Sequence, residues 1–273
     1  MSGTIAAPGS TPIPDKPSRA PVRVTKQSFD VYEPRATPTL TRAFQTDPMM
    51  TYAINKVPKE SRPATLKKVM HLLLTTGLLK DATFYESGAL SPSEAENPES
   101  AEPKYQCAGI FIPPGEKAQD LSARGWWVLI KHGLLPLTRR TGVSGLMRLV
   151  EEYPSIADPA KEKMLAKGEP YYYLLIIGTD PDHQGKGLCA ALIREHQKAM
   201  QEKGIPIWLE ASNKNAMNVY SKCGFERVPG EYLVGKGKCD AKGEKAKGAE
   251  ATGLEIYPMV WWPVGYVKRK IQG

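Results

Sequence analysis

Apolar and polar positions change period several times along the chain, and each change marks an element. Between Ala64 and Leu79, the residues Leu66, Val69, Met70, Leu73 and Leu74 recur at the spacing of one helix face. Tyr171 to Thr179 (YYYLLIIGT) is a nearly continuous apolar run and predicts a strand. A second helix is predicted from Gly187 to Lys203, with Leu188, Ala191, Leu192 and Met200 on one face and Gly204 as its stop. Ile205 to Ala211 reads as a strand, Asn213 to Cys223 as a short helix ended by Gly224, and Phe225 to Val228 as the start of another strand. The strand–loop–helix–strand order from Tyr171 to Ala211 is a βαβ unit, whose crossover is expected to be right-handed.

Upstream the signals are shorter. Ser28 to Glu33 (SFDVYE) alternates and predicts a strand. Thr46-Asp47-Pro48 predicts a helix start, a capping side chain followed by proline in the first turn. Ala82 to Glu86 and Tyr105 to Ile112 read as two antiparallel strands, joined by an acidic, proline-rich loop over residues 87–104 that is expected to be flexible. Three helical pieces are predicted at Trp126 to Leu137, Val143 to Tyr153 and Pro159 to Ala166. Leu254 to Trp262 predicts a last strand, with Pro258 placing it at an edge or bulge. Residues 1–27 lack apolar content and read as a disordered tail, and residues 235–253 as a flexible loop. Residues 28–273 are then one domain with a mixed sheet, of α/β or α+β class.

The net charge of +8 adds a question of partner. Much of the excess lies in Lys236, Lys238, Lys242, Lys245 and Lys247, which suits a solvated basic loop better than a nucleic-acid site. Cys107, Cys189, Cys223 and Cys239 form no CxxC pair and no zinc-like spacing with histidine, so reduced thiols and no metal are expected. The run GWWVLIKHGLLPL is broken by Lys131, His132 and Pro136 and is too short to span a bilayer. With no apolar signal core at the N-terminus, a cytoplasmic protein without membrane or nucleic-acid partners is expected.

Chemistry concentrates where the apolar strand meets the second helix. Gly185 and Gly187 let backbone approach a ligand closely, the first helical turn carries unpaired N–H groups, and Lys186 adds charge. Together they form an anion cradle. The P-loop pattern GxxxxGK[ST] fails here. The dinucleotide pattern GxGxxG/A fits Gly185, Gly187 and Ala190, with Glu210 placed to hold a ribose. Against it, Asp180 to Gln184 separate the strand from the first glycine, and few residues follow to build repeated βαβ units. The pattern [Q/R]xxGx[G/A] fits Gln184 and Gly187, with Cys189 at the small-residue place.

That last pattern, in DPDHQGKGL, together with GIPIWLEAS and VYSKCGF, resembles the GNAT superfamily of acyl-CoA N-acyltransferases, most closely its puromycin N-acetyltransferase group. The close resemblance covers roughly Tyr172 to Val228. It implies a largely antiparallel central sheet splayed at the cofactor strand, with helices on both faces, and acetyl-CoA as cosubstrate. It implies that Gln184, Gly185, Lys186, Gly187, Leu188 and Cys189 hold the pyrophosphate, that strand residues Ile177, Gly178 and Thr179 meet the pantetheine arm, and that Asn213 contacts the cofactor. Tyr220, which matches the family tyrosine before Gly224-Phe225, would protonate the departing sulfur.

Acetyl transfer to an amine also needs a base. Glu210, at the end of the next strand, and Tyr173 are the candidates. Alternation places Tyr171, Tyr173, Leu175, Ile177 and Thr179 on one strand face. His183 and His196 lie on the cofactor loop and helix and are poor candidates. Phe44, Met49, Tyr52, Trp126, Trp127 and Tyr257 could line the acceptor pocket. The expected function is acetylation of a small-molecule primary amine by direct attack in a ternary complex, as monomer or homodimer. A protein or peptide N-acetyltransferase and, more distantly, an NAD(P)-binding oxidoreductase remain alternatives.

Overall fold

The computed structural model describes residues 20–268. In chain order the elements are β1 (Val22–Gln27), α1 (Phe29–Ala43), α2 (Pro48–Ile54), α3 (Arg62–Leu79), β2 (Thr83–Ala89), α4 (Pro92–Glu96) and β3 (Cys107–Ile112). An inserted run of helices follows: α5 (Ala123–Lys131), α6 (Leu134–Thr141), α7 (Val143–Met147), a π-helical turn over Arg148–Glu152, and α8 (Tyr153–Glu162). Then come β4 (Tyr172–Thr179), α9 (Leu188–Lys203), β5 (Ile207–Ala211), α10 (Lys214–Lys222), β6 (Glu226–Arg227), β7 (Leu233–Val234), β8 (Leu254–Glu255) and β9 (Tyr257–Trp261).

The main sheet has seven strands in the order β1-β2-β3-β4-β5-β9-β6. Every neighbouring pair is antiparallel except β4 and β5, the parallel pair joined through α9. The predicted mixed, mostly antiparallel sheet is present. The dinucleotide reading fails at this level, because a doubly wound fold needs a mostly parallel sheet and β4–β5 is the single parallel pair of this one.

Three expectations are corrected. Ser28 to Glu33 is not a strand: Ser28 precedes α1, where Phe29, Tyr32, Ala36 and Leu40 share a helix face and the last three are fully buried, while Val31 is exposed. Alternation over six residues could not reveal that longer period. Val22–Gln27 is not tail but β1, paired along its length with β2, and the rest of the predicted tail through residue 19 lies outside the described residues. Residues 235–253 are a folded hairpin. Cys239 bridges to Lys245 and is buried, Asn55 donates to the Gly243 carbonyl at 2.9 Å, and a Cβ at Gly243 would sit 2.1 Å from the Pro48 carbonyl oxygen. The glycines let this basic segment turn tightly onto α2 while its exposed lysines stay in water.

The loop over residues 87–104 is also tied down. α4 starts with a capping box between Ser91 and Glu94, and Lys104 reaches Glu94 at 2.5 Å and the Ala89 carbonyl at 2.8 Å. Pro258 sits inside β9 between two partners. Its carbonyl accepts the Val228 N–H, so its missing donor faces the side where the two-residue β6 has already ended.

One core lies between α9, α10 and the sheet, built on Phe111, Leu174, Ile177, Leu192, Leu209 and Met259. On the opposite face α1 and α3 pack through Tyr32, Leu40, Met70 and Leu74. A third cluster joins α2, α8 and the β7–β8 hairpin around Tyr52, Trp208, Val234 and Leu254. Helices therefore cover both faces, and the inserted helices close over the face that carries Tyr173 and Trp208.

Candidate active site

The site begins where β4 and β5 part. Their register holds for two pairs only, Tyr172 with Ile207 and Tyr173 with Trp208. Beyond these the strands diverge. The cause lies partly in β4, whose pairing with β3 slips so that Leu175 has no opposite residue, a bulge between the Ile176–Ile110 and Leu174–Phe111 pairs. The bulge also corrects the single face predicted from alternation. Tyr171 and Tyr173 pack on the α8 side and Leu175 on the α1 side, but Ile177 turns into the α9 core, and Thr179 shares its parity.

The backbone in the gap follows from pairing. The Asp180 N–H donates to the Gln106 carbonyl at 2.9 Å, so Asp180 and Gly178 direct their peptide groups at β3. Ile177 and Thr179, one residue out of phase, point theirs into the gap, where β5 is no longer a partner. Gly178 is needed for another reason: a Cβ there would come within 2.8 Å of Ala43 and 2.9 Å of Phe44. Helix α1 thus lies directly against β4.

Glu210 stands on β5 beside this opening. Its carboxylate accepts from Trp208 Nε1 at 2.5 Å, the Tyr173 hydroxyl at 2.9 Å and the Tyr153 hydroxyl at 3.3 Å. Burial pushes its carboxyl above the ordinary range, and these three donors pull the other way by stabilising the charged form. Tyr153 and Tyr173 are pushed well above the usual phenol range, first by burial and then by the Glu210 charge. They remain donors. A cavity of about 40 Å³ adjoins the carboxylate, lined by Tyr153, Tyr171, Tyr173, Asp158 and Lys161 and by residues 116–119.

At the far end of β4, Asp180 and Asp182 start the glycine loop and are held by Arg42 of α1 at 3.4 and 2.7 Å. Gly185 and Gly187 have φ of 78° and 83°, the left-handed region that disfavours side chains. A Cβ on Gly185 would meet nothing within 4 Å, so the loop fronts open space. Among the described residues, no protein group accepts from the N–H of Gly185, Lys186, Gly187, Leu188 or Cys189. Lys186 donates to His183 Nδ1 at 2.8 Å beside them. This chain's residues fit a pyrophosphate: several unused donors converge at a helix start. Cys189 is the small residue of the pattern, and Leu188 is buried in the α9 core.

Tyr220 and Asn213 come from α10. Asn213 caps it, accepting from the Ala216 N–H at 2.9 Å. Tyr220 is buried near Phe225, and burial holds its hydroxyl well above the usual phenol range. Among the described residues nothing hydrogen-bonds that hydroxyl. From sequence alone Asp47 predicts only a helix cap. It does accept from the Met50 N–H at 3.0 Å, but its other oxygen accepts from the Ser212 hydroxyl, tying α2 to the β5–α10 junction. Asn213 donates to that same Ser212 at 3.3 Å.

Trp208, Tyr153 and Ser212 are the residues that sequence reasoning missed. Trp208 carried a faint signal, lying two residues before Glu210 on one strand face; Tyr153 carried none. Of the predicted acceptor residues, Phe44 covers Gly178 and Met49 and Tyr52 are core. Trp126 packs against the α1–α3 core, and Tyr257 is buried on the α9 side. Trp127 is 57% exposed. His196 is buried against Phe111, Tyr85 and Tyr172, far from any role as a base. Among the described residues no cluster of three or more His, Cys, Asp or Glu side chains could hold a metal ion.

Comparison with known proteins agrees with this geometry. The sequence model of the Acetyltransferase (GNAT) family matches residues 103–225. An uncharacterized N-acetyltransferase of Schizosaccharomyces pombe is 24% identical over 150 residues, half of this chain and 59% of that protein. Mycothiol acetyltransferase of Thermobifida fusca is 29% identical over 75 residues, 26% of this chain and 23% of that one. The chain thus spans less than two thirds of either relative. Arylalkylamine N-acetyltransferase 2 of Aedes aegypti has the same fold, with a TM-score of 0.52 at 15% identity, covering 88% of this chain and 98% of that one. The matched stretch, Pro103 to Phe225, holds the β4 bulge, the glycine loop and the Tyr220 helix, and over it the chain is similar to the GNAT acetyltransferase family.

Proposed function

We propose that the protein is an acetyl-CoA-dependent N-acetyltransferase acting on a primary amine of a small molecule by direct attack in a ternary complex. The observation that carries this reading is the parting of β4 and β5 with Glu210 held at its edge and the unused loop donors beyond its end. Acetyl-CoA, as cosubstrate, supplies an acetyl thioester. The N–H groups from Gly185 to Cys189 hold its pyrophosphate, with Gln184 and Lys186 beside them, and the gap-facing peptides of Ile177 and Thr179 hold its arm.

The protein's own chemistry is proton handling. Glu210 takes the proton from the amine, directly or through one water, in the raised range that its burial sets. Tyr220, kept protonated by burial, donates to the departing sulfur. Asp47 and Ser212 hold the α2 end of the site against Asn213. The aromatic and carboxylate lining around Tyr153, Tyr171 and Tyr173 suits a cationic amine. The names of the mycothiol and arylalkylamine enzymes support a small acceptor, and the sequence likeness to the puromycin group makes that aminonucleoside the first compound to try.

The test is thiol release from acetyl-CoA across a panel of amines including puromycin, with a lysine-bearing peptide as comparison. Turnover on small amines alone supports the reading. Turnover on the peptide alone moves it to a protein N-acetyltransferase, and failure to bind CoA overturns it.

A further inference from the structure

The helices inserted between β3 and β4 include the GWWVLIKHGLLPL run, which the site does not use. They present an unusual face. No Asp or Glu occurs from Leu121 to Val150, a stretch with five arginines and lysines. Four of these, Arg124, Lys131, Arg139 and Arg140, are exposed, and among the described residues none forms a salt bridge. Lys56 from the end of α2 joins them, its ammonium 3.6 Å from where a Cβ on Gly142 would lie.

The same helices expose Trp127 (57%), Leu135 (48%), Val143 (65%) and Met147 (37%), half of the large apolar side chains exposed among the described residues. Trp127 and Lys131 on α5, Leu135 and Arg139 on α6, and Val143 and Met147 on α7 lie four apart within each helix and are all exposed. Their partners on the other face, Gly125, Leu129, Leu134, Leu137 and Gly145, are buried. The exposed side chains of each helix are therefore not a misplaced core. The Lys131 ammonium lies 5.5 Å from the centre of the Trp127 ring, an amphipathic pair at the surface.

We infer that this face of α5, α6 and α7 docks the protein on an anionic phospholipid surface. The cations match the negative potential of such a leaflet. Trp127 suits the headgroup level, Leu135, Val143 and Met147 the acyl boundary, and the long Lys and Arg stems reach back to the phosphates. A nucleic acid would use the cations but has no need of Leu135, Val143 and Met147, since phosphate contacts are polar. The helices are short and lie on the protein, so this is attachment to one leaflet, not a span. The inference stands independently of the acetyltransferase reading.

The test is co-sedimentation of the full chain with phosphatidylcholine vesicles carrying about 30% phosphatidylserine, against phosphatidylcholine alone. Binding is expected only to the anionic vesicles, weakening as salt rises past about 0.15 M. Arg139→Gln with Arg140→Gln should weaken it roughly 20- to 30-fold, two cations at about tenfold per 1.4 kcal/mol. Trp127→Phe should remove most of the blue shift in tryptophan emission on binding. All three positions are exposed, so unfolding temperature is expected to be unchanged, and that is checked first. Absence of pelleting, equal pelleting with both vesicles, or variants that bind as wild type would each overturn the inference. So would binding to RNA with none to vesicles.

Discussion

The Tyr173 hydroxyl donates to Glu210 Oε2 at 2.9 Å across the last paired position of β4 and β5. One residue of each diverging strand is thereby joined at the point where the sheet opens. The bond fixes the carboxylate in place and favours its charged form against the burial that raises its pKa.

The pH profile should report this bond. If the charged Glu210 is the base, kcat/KM rises with pH through a value above the ordinary carboxylate range. Tyr173→Phe removes a donor that lowers that value, so the acid limb should move to higher pH, with little effect on CoA affinity. Glu210→Gln should abolish the limb and reduce turnover by about 10²- to 10⁴-fold. A Glu210→Gln profile with the wild-type limb would assign the titration to another group.

Tyr220→Phe separates chemistry from binding in another way. The ring stays, and with it the packing near Phe225. Only a hydroxyl that no group among the described residues engages is lost. Stability should change little, CoA affinity should hold, and kcat should fall by about 10²-fold or more. Single-turnover measurements show whether the loss lies in the chemical step.

The glycine loop, the βαβ unit around it, α3 and the antiparallel β2–β3 pair were legible because each has a local signature: a period, a cap or a turn residue. What was not legible depended on distance. The bulge at Leu175 is a relation between β3 and β4, and nothing within YYYLLIIGT marks it. Tyr153 lies 57 residues from Glu210, in an insert whose helices show no motif. The lysines of residues 235–253 masked a folded hairpin, because its buried Cys239 and its contacts with α2 are set by partners far away in sequence. Asp47 showed one of its two roles, the local one.

That second role can be measured. Asp47→Ala loses the α2 cap, about 1 kcal/mol, and leaves the Ser212 hydroxyl without its acceptor, about 1 kcal/mol or more. For a chain of this size the unfolding temperature should fall by about 4–8 °C. Asp47→Ser keeps a capping oxygen and should recover part of the stability. Because Asn213 leans on the same Ser212, KM for acetyl-CoA should rise in both variants. A stability loss in Asp47→Ala with unchanged KM would confine Asp47 to the helix cap.

His196 sets an acid limit on stability. Its ring stacks on Phe111 at 3.8 Å, and among the described residues neither ring nitrogen has a partner. Burial, with Lys26 and Lys203 nearby, lowers its pKa to about 3. The unfolded chain binds this proton near the ordinary value of about 6.5, so between these values the unfolded state holds more protons and stability rises with pH. Stability is full above about 6.5 and is lost as pH falls toward 3, at roughly 1.4 kcal/mol per pH unit from this residue alone. At pH 5 the loss is then about 2 kcal/mol relative to neutral. His196→Phe, which keeps the stacking but cannot be protonated, should flatten the dependence of the urea midpoint on pH between 5 and 7. An equal slope in wild type and variant would mean that the ring finds a proton-accepting partner when charged.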